Sequence, residues 1–352
     1  MVELQFSGTS HGQGYSGKIS GLPKGFAFSV EQINLQLARR KTGFGRSSRQ
    51  TNADLVTFVG ENNGVVVCDG NPVEFAVANK CVEQRQEIVA LRSGHTDVVG
   101  KARFPHLTVR QIAEISSARN SIGYVVAGAI CKQLLAKHGI STFHYVQKIG
   151  GIASRNRYVF GVSEEQPHFE ILHCPCKYAT GLMVEKIQQA RQNGNSLGGV
   201  VVVGATGVPM GIGEIFPYNK RLDAQISAEL LGIPSVKGIS FGIGEKYASL
   251  DGISACDTLE VQNGKIVYSS NKCGGIVGGI STGQDILCSL VVKPVPTVVG
   301  APSINSQTFE QTTAHYERAD TCVVPNVGVI GENILAIVLA NQLTKQLTEQ
   351  QN

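Results

Sequence analysis

The sequence has no tryptophan, and aromatic residues make up only 6% of it. Proteins that hold single-stranded nucleic acid stack bases on aromatic rings, so this shortage argues against that class. Charge is sparse too. Only 16% of residues carry one, and 31 Lys and Arg against 27 Asp and Glu leave a net charge of +4. A general nucleic-acid binder carries a strongly basic stripe, which this balance does not supply. The N-terminus MVELQFSG has an acid at position 3 and no apolar stretch of the secretory kind. The longest apolar runs, such as GGVVVVGA, fall far short of a membrane span. Nine cysteines, an odd number in a long chain, read as the reduced thiols of a cytosolic protein. No G-x-G-x-x-G follows a strand, and there is no P-loop and no H-E-x-x-H. The HCPC stretch, residues 173–176, has no second ligand pair, so it reads as loop thiols beside a proline rather than a zinc site.

Glycine is abundant, with 41 in 352 residues, which predicts many tight turns and close backbone approaches. No linker or low-complexity tract divides the chain, so one domain spanning 1–352 is expected, with a polar tail fraying from 344 to 352. SVEQINLQLARR reads as a helix with Ser29 and Gln32 as a capping box. Residues 108–139 read as a helix pair or one long interrupted helix, opened by a Thr108–Gln111 capping box and ended by Gly139. TGLMVEKIQQARQNG is a helix stopped by Gly194, and Asn263-Gly264 predicts a type I′ hairpin. ILCSLVVK reads as a buried strand, and GENILAIVLANQLTKQL as the closing helix. Strands and helices alternate without a βαβ rhythm, which favours an α+β fold.

Three short segments and one loop carry the chemistry. The stretch LARRKTGFGRSSRQ holds five fixed cations, Arg39, Arg40, Lys41, Arg46 and Arg49, and no acid lies between Glu31 and Asp54. SGTSHGQGYSG places His11 in a Ser-His-Gly turn after the first strand. LRSGHTD gathers Arg92, His95 and Asp97, and YERADTC sets Arg318 two residues from Asp320. Two imidazoles and several guanidinium groups on short Gly/Ser spacers suit a highly anionic small molecule and proton transfer around it. The role of the neighbouring His315 stays open.

These residues resemble the chorismate synthase family. GTSHG is similar to that family's G-E-S-H-G, RRKTGFGR to its double-Arg, Gly, Gly-Arg loop, and SGHTD to its P-G-H-A-D. SSAR is shared unchanged, VVVVGATGVPMGIGE matches a core strand and loop, and GGIVGGISTGQDI, KPVPT and RADTCVVP are similar to further family segments. The resemblance runs in order along nearly the whole chain.

It implies an α+β sandwich, a helical core flanked by antiparallel sheets, assembled as a homotetramer in the cytoplasm. It implies a 1,4-anti elimination of phosphate from 5-enolpyruvylshikimate 3-phosphate to chorismate, with reduced FMN as cofactor and NADPH as a possible reductant. By motif it assigns His11, His95 and Asp320 to catalysis, and Ser10, Arg49, Arg92, Arg119 and Arg318 to the substrate. Arg40, Arg46, Ser116, Ser117, Pro234, Ser235, Gly278, Lys293, Pro294, Val295, Pro296, Thr297 and Arg318 fall to cofactors. The chain departs from the family at Thr9 for Glu, Ser93 for Pro and Ile115 for Arg. Its segment from Gly64 to Leu91 is short and lacks K-T-T-G. These departures predict weak reduction of its own flavin. Two alternatives stay open at this stage: a non-catalytic FMN- or phosphate-binding paralogue, and a flavoenzyme acting on another anion.

Overall fold

A computed structural model describes residues 1–10, 12–47, 54–79, 86–156, 160–161, 163–317 and 319–349. His11, Arg49 and Arg318 therefore lie outside the described residues. In chain order the first half forms β1 (Glu3–Gly8), β2 (Gly14–Ser20), β3 (Ala27–Ser29), α1 (Val30–Arg39), β4 (Val56–Phe58), β5 (Val65–Val67), β6 (Val73–Ala78), α2 (Asp97–Arg103), α3 (Val109–Ile115) and α4 (Ser121–Ala136). The second half forms β7 (Ser141–Ile149), β8 (Ile152–Ala153), α5 (Phe169–Leu172), α6 (Lys177–Gln192), β9 (Gly199–Thr206), α7 (Leu222–Leu231) and β10 (Val236–Phe241). It continues with α8 (Gly252–Ala255), β11 (Leu259–Gln262), β12 (Lys265–Tyr268), β13 (Ile276–Val277), β14 (Ile280–Ser281), β15 (Ile286–Val292) and α9 (Val324–Glu349).

Two antiparallel sheets enclose a helical layer. One has the order β1-β2-β6-β4, the other β10-β15-β9-β7-β8. In β6 every second residue is buried, Val73, Phe75 and Val77, so that sheet keeps one face in the core and one in water. In β9 five consecutive residues from Val201 to Ala205 are buried, which marks a strand covered on both faces. Between the sheets lie α4 and α9, and small residues bring them close. A Cβ on Gly123 of α4 would lie 2.9 Å from the Phe6 ring of β1, and one on Gly128 would lie 2.3 Å from the Asn333 carbonyl of α9. On the far side of α9, a Cβ on Gly328 would meet the His144 ring of β7 at 2.2 Å, and one on Gly331 would meet Val203 of β9 at 2.8 Å. The expected helical core between antiparallel sheets is what forms.

Local signals held where capping and turn chemistry were involved. The Thr108–Gln111 capping box is complete, and Gly139 and Gly194 take positive φ past their helices. Asn263 and Gly264, with φ of 51° and 74°, close the β11–β12 hairpin. The Ser29 box forms only by half. Ser29 Oγ accepts from the Gln32 amide, but the Ser29 amide donates to Gln133 Oε1 at 2.7 Å, so α4 supplies the second cap. The closing helix begins at Val324 rather than Gly331, because Pro325 suits a first turn and the helical glycines serve close packing. The tail expected to fray from 344 is helical through Glu349. By length and mean hydropathy the segment Val324–Leu347 could cross a membrane, yet 83% of that apolar window is buried inside the fold.

Candidate active site

Three buried or half-buried carboxylates organise the predicted cations. The first is Asp54, 5% exposed. It accepts from Arg40 Nη2 at 2.7 Å and Arg119 Nη2 at 3.0 Å, and Lys41 Nζ lies 3.6 Å away. Arg119 also donates to the Ser10 carbonyl at 3.4 Å, and Arg40 to Ser121 Oγ at 3.2 Å. Burial, only partly offset by Asp54, lowers Arg40 to about 10. Tyr15, whose hydroxyl donates to Asn120 Oδ1, is pushed up to about 12 by burial. The sequence reading missed Asp54. Its signal was there, because it is the first acid after the acid-free run.

The second carboxylate is Asp320. It accepts from Arg46 Nη1 and from the Ser47 amide, both at 2.7 Å. Glycine makes this possible: the Gly45 carbonyl accepts from the Thr321 amide at 2.8 Å, and a Cβ on Gly45 would lie 2.9 Å from Cys322 Cβ. The loop also hangs from α9, where Asn326 Nδ2 donates to the Arg40 and Thr42 carbonyls at 2.7 and 2.9 Å. A cleft of about 250 Å³ opens here, lined by Arg46, Ser47, Arg191, Asn195, Thr297, Tyr316 and Asp320 among others.

The third is Asp97, fully buried. Arg92 donates to it from its amide and Nε at 2.9 Å and from Nη2 at 2.8 Å, and His95 Nδ1 lies 2.6 Å from Oδ1. Burial alone would raise this carboxyl; hydrogen bonds from His95 and Arg92 outweigh it and hold the group well below the usual range. An ionised Asp97 fixes the proton on Nδ1 and leaves Nε2 as the free nitrogen of His95. Arg92, expected as a substrate ligand, also has a structural part here. It is 6% exposed with Nε and Nη2 spent on Asp97, so it builds the His95 turn.

The KPVPT segment links these groups. Lys293 Nζ donates to the Gly94 carbonyl at 2.7 Å, a Cβ on Gly94 would touch Pro296 at 3.4 Å, and Val295 accepts from Ser196 Oγ at 2.6 Å. Pro294 is exposed, and Thr297 reaches the Asp320 cleft. Ser235 carries the Lys293 amide on its carbonyl and has φ of 77°, a conformation that a non-glycine residue adopts at a cost. Pro234 beside it is exposed. Ser116 caps the end of α3 and Ser117 accepts from the Arg119 amide. Gly278 stands apart at the exposed tip of the β13–β14 turn, with nothing within 4 Å of where a side chain would be. His315 pairs with Glu317 at 3.2 Å, which also holds Arg110 at 2.6 Å, a structural arrangement.

Among the described residues no group of three or more His, Cys, Asp and Glu side chains could hold a metal ion. An anion fits better. Among the described residues Arg40 Nε and Arg46 Nε are buried donors with no acceptor, and Asp54 alone is shared by Arg40, Lys41 and Arg119. This donor set suits the phosphate and carboxylate groups of a substrate and a phosphate-bearing cofactor such as FMN.

Fold and site together define an α+β enzyme whose pocket is built for a polyanionic small molecule. The family model for chorismate synthase matches residues 2–344. A chorismate synthase of an Exiguobacterium species is 34% identical, with 96% of this chain and 92% of the relative aligned. One from Carboxydothermus hydrogenoformans is 32% identical over the same shares. A crystal structure of chorismate synthase superposes with a TM-score of 0.78 at 26% identity, covering 98% of this chain and 92% of the other. The chain belongs to the chorismate synthase family. Its activity is that of a chorismate synthase, a lyase, and the non-catalytic alternative is not favoured.

Proposed function

We propose that this chain eliminates phosphate from 5-enolpyruvylshikimate 3-phosphate in the pocket between the Asp54, Asp97 and Asp320 groups, with reduced FMN as its cofactor. The C6 hydrogen is not acidic and the phosphate is distant from it, so an unassisted loss is hard. Reduced flavin, when bound, supplies and recovers the electron density that this loss requires. Ser235, Ser116, Ser117, Thr297 and the backbone from Lys293 to Pro296 would hold it.

The protein's own groups do the rest. Arg40, Arg46 and Arg119 bind the anionic substituents, and the planar guanidinium fork suits carboxylate and phosphate alike. His11 protonates the departing phosphate oxygen. His95, held on Asp97 through Nδ1, presents Nε2 to the pocket. Asp320 receives the C6 proton once Arg46 and the Ser47 amide turn to the substrate. Arg49 and Arg318 add cations on the substrate side. Arg92 acts through Asp97, holding the His95 turn. The observation that carries this reading is a pair of buried guanidinium nitrogens, Arg40 Nε and Arg46 Nε, that meet no acceptor among the described residues and lie beside Asp54 and Asp320. We further read the protein as a single cytoplasmic unit that assembles as a homotetramer, with NADPH as a possible reductant.

Anaerobic incubation with dithionite-reduced FMN and the enolpyruvyl substrate tests the reading. Chorismate absorbance should rise with one phosphate released per turnover. Flavin binding without product would refute it.

A further inference from the structure

We propose that Arg191 is a further anion-binding residue of this site, the guanidinium that meets a phosphate monoester in the cleft beside Asp320. The inference rests on the reading above and extends it to a residue that none of the motifs marks. Arg191 lies in the last turn of α6. Its Nη2 donates to the Arg46 carbonyl at 3.3 Å, and its guanidinium carbon stands 5.5 Å from the Phe44 ring centre. Both contacts orient the side chain across the cation loop, and neither neutralises it.

The charge balance of the cleft singles it out. Arg46 faces Asp320 at 2.7 Å. Arg40 and Arg119 share Asp54, and Arg92 is spent on Asp97. Among the described residues, no carboxylate pairs with Arg191, although it lines the same cleft as Arg46 and Asp320. Among its described residues the cleft therefore holds two guanidinium groups against one carboxylate, an excess of one positive charge. Thr297 and Asn195 add a hydroxyl and an amide to its wall. At about 250 Å³ it is smaller than the roughly 300–1,000 Å³ of pockets that enclose a whole ligand. It suits one charged end of a larger molecule. A guanidinium already oriented by a ring and a carbonyl binds a phosphate with little further ordering.

Two ligands bring a phosphate monoester here, the flavin and the substrate, and binding measurements separate them. R191Q and R191K would be compared with the parent protein by fluorescence titration of FMN, of riboflavin, which lacks the phosphate, and of the enolpyruvyl substrate at saturating flavin. If the flavin phosphate is the partner, R191Q weakens FMN about ten- to hundredfold and leaves riboflavin unchanged. If the substrate phosphate is the partner, R191Q weakens the substrate by that factor and neither flavin. In both cases R191K recovers part of the loss. The proposal is overturned if no ligand is weakened, or if riboflavin weakens as much as FMN with a lowered melting temperature, which marks a mere clamp on the loop. Parent protein that binds neither flavin nor substrate would sink the site reading itself, a result separable from the behaviour of the variants.

Discussion

At the scale of single residues, carboxylates rather than cations set the geometry of this pocket. Asp97 shows it most sharply, since one buried group orients both His95 and Arg92. Asp97→Asn would leave Arg92 buried without a counter-charge, and breaking such a pair costs about 3–5 kcal/mol. Urea unfolding should show a loss of that size, and an unchanged midpoint would mean the pair is dispensable. The His95 tautomer should become mixed as well, so kcat falls more than the substrate KM rises. Asp320 makes a different kind of partner, half-buried and shared between Arg46 and the Ser47 amide. Asp320→Asn keeps the shape and removes the proposed base. A positioned proton-transfer group contributes roughly 10²–10⁴-fold, so kcat should fall by that factor while substrate binding persists in equilibrium titration.

At the scale of elements, α9 is tied to the start of the cation loop through a charge cluster that Arg39 shares. Glu332, 1% exposed, accepts from Arg39, from Lys132 at 2.8 Å and from His144 Nδ1 at 2.6 Å, and His144 Nε2 meets His173 Nδ1 at 2.7 Å. Burial pushes His144 and His173 down. Burial would raise Glu332, but the charges of Arg39 and Lys132 and the hydrogen bond from His144 bring it well below its ordinary value. Both effects have one sign. Histidines kept neutral in the fold gain protons only on unfolding, so stability falls as pH drops below about 6.5. A depressed carboxylate contributes above its unfolded value of about 4.3 and loses that contribution on further acidification. Stability should therefore be level near pH 8 and decline steadily toward pH 4. Glu332→Gln should cost about 3–5 kcal/mol at neutral pH, because it strands buried cations, and should flatten the lower part of that decline. Calorimetry across the pH range checks both. The loop above α9 is equally constrained. Gly45 has φ of 103° and no room for a Cβ beside Cys322, so Gly45→Ala should push Arg46 out of register and weaken FMN binding without unfolding the protein.

For the whole molecule, the proposed pocket gathers Arg40, Lys41 and Arg119 on Asp54 and sets Arg46 and Arg191 beside Asp320, and an anion should tighten it. Saturating FMN and substrate at about 100 times their dissociation constants would add about 2.7 kcal/mol each to the folded state. The melting temperature should rise accordingly, and less so at high salt, where exposed charges are screened. A melting temperature indifferent to both ligands would contradict the anion pocket. Flavin reduction is the whole-molecule property in which the departures from the family should show. Ile115 is 56% exposed at the end of α3, where the family carries an arginine, and it offers no charge to a dinucleotide. Turnover with NADPH and FMN in air should be weak, and full activity should need a chemical reductant. Robust aerobic turnover would overturn that expectation.

Features that depend on neighbours along the chain could be read before any fold was known. The Thr108–Gln111 box, the Asn263-Gly264 turn and the glycines past α4 and α6 were legible because their hydrogen bonds and backbone angles are local. The cations of residues 39–46, the SGHTD turn and the order of eight motifs were legible as residue types, and with them the family and the α+β sandwich. Which acceptor each donor meets emerges on folding alone. Asp54 lies 65 residues from Arg119, Glu332 lies 188 from His144, and Asp320 lies 274 from Arg46. Arg191 carries no motif, and it enters the pocket because α6 ends over Phe44. His144 and His173 carry no local signal of their pairing, and burial joined them to a carboxylate on α9. A chain specifies its donors one residue at a time, but the pairing of buried charge is settled by desolvation, which exists only once the sheets and helices have closed around it.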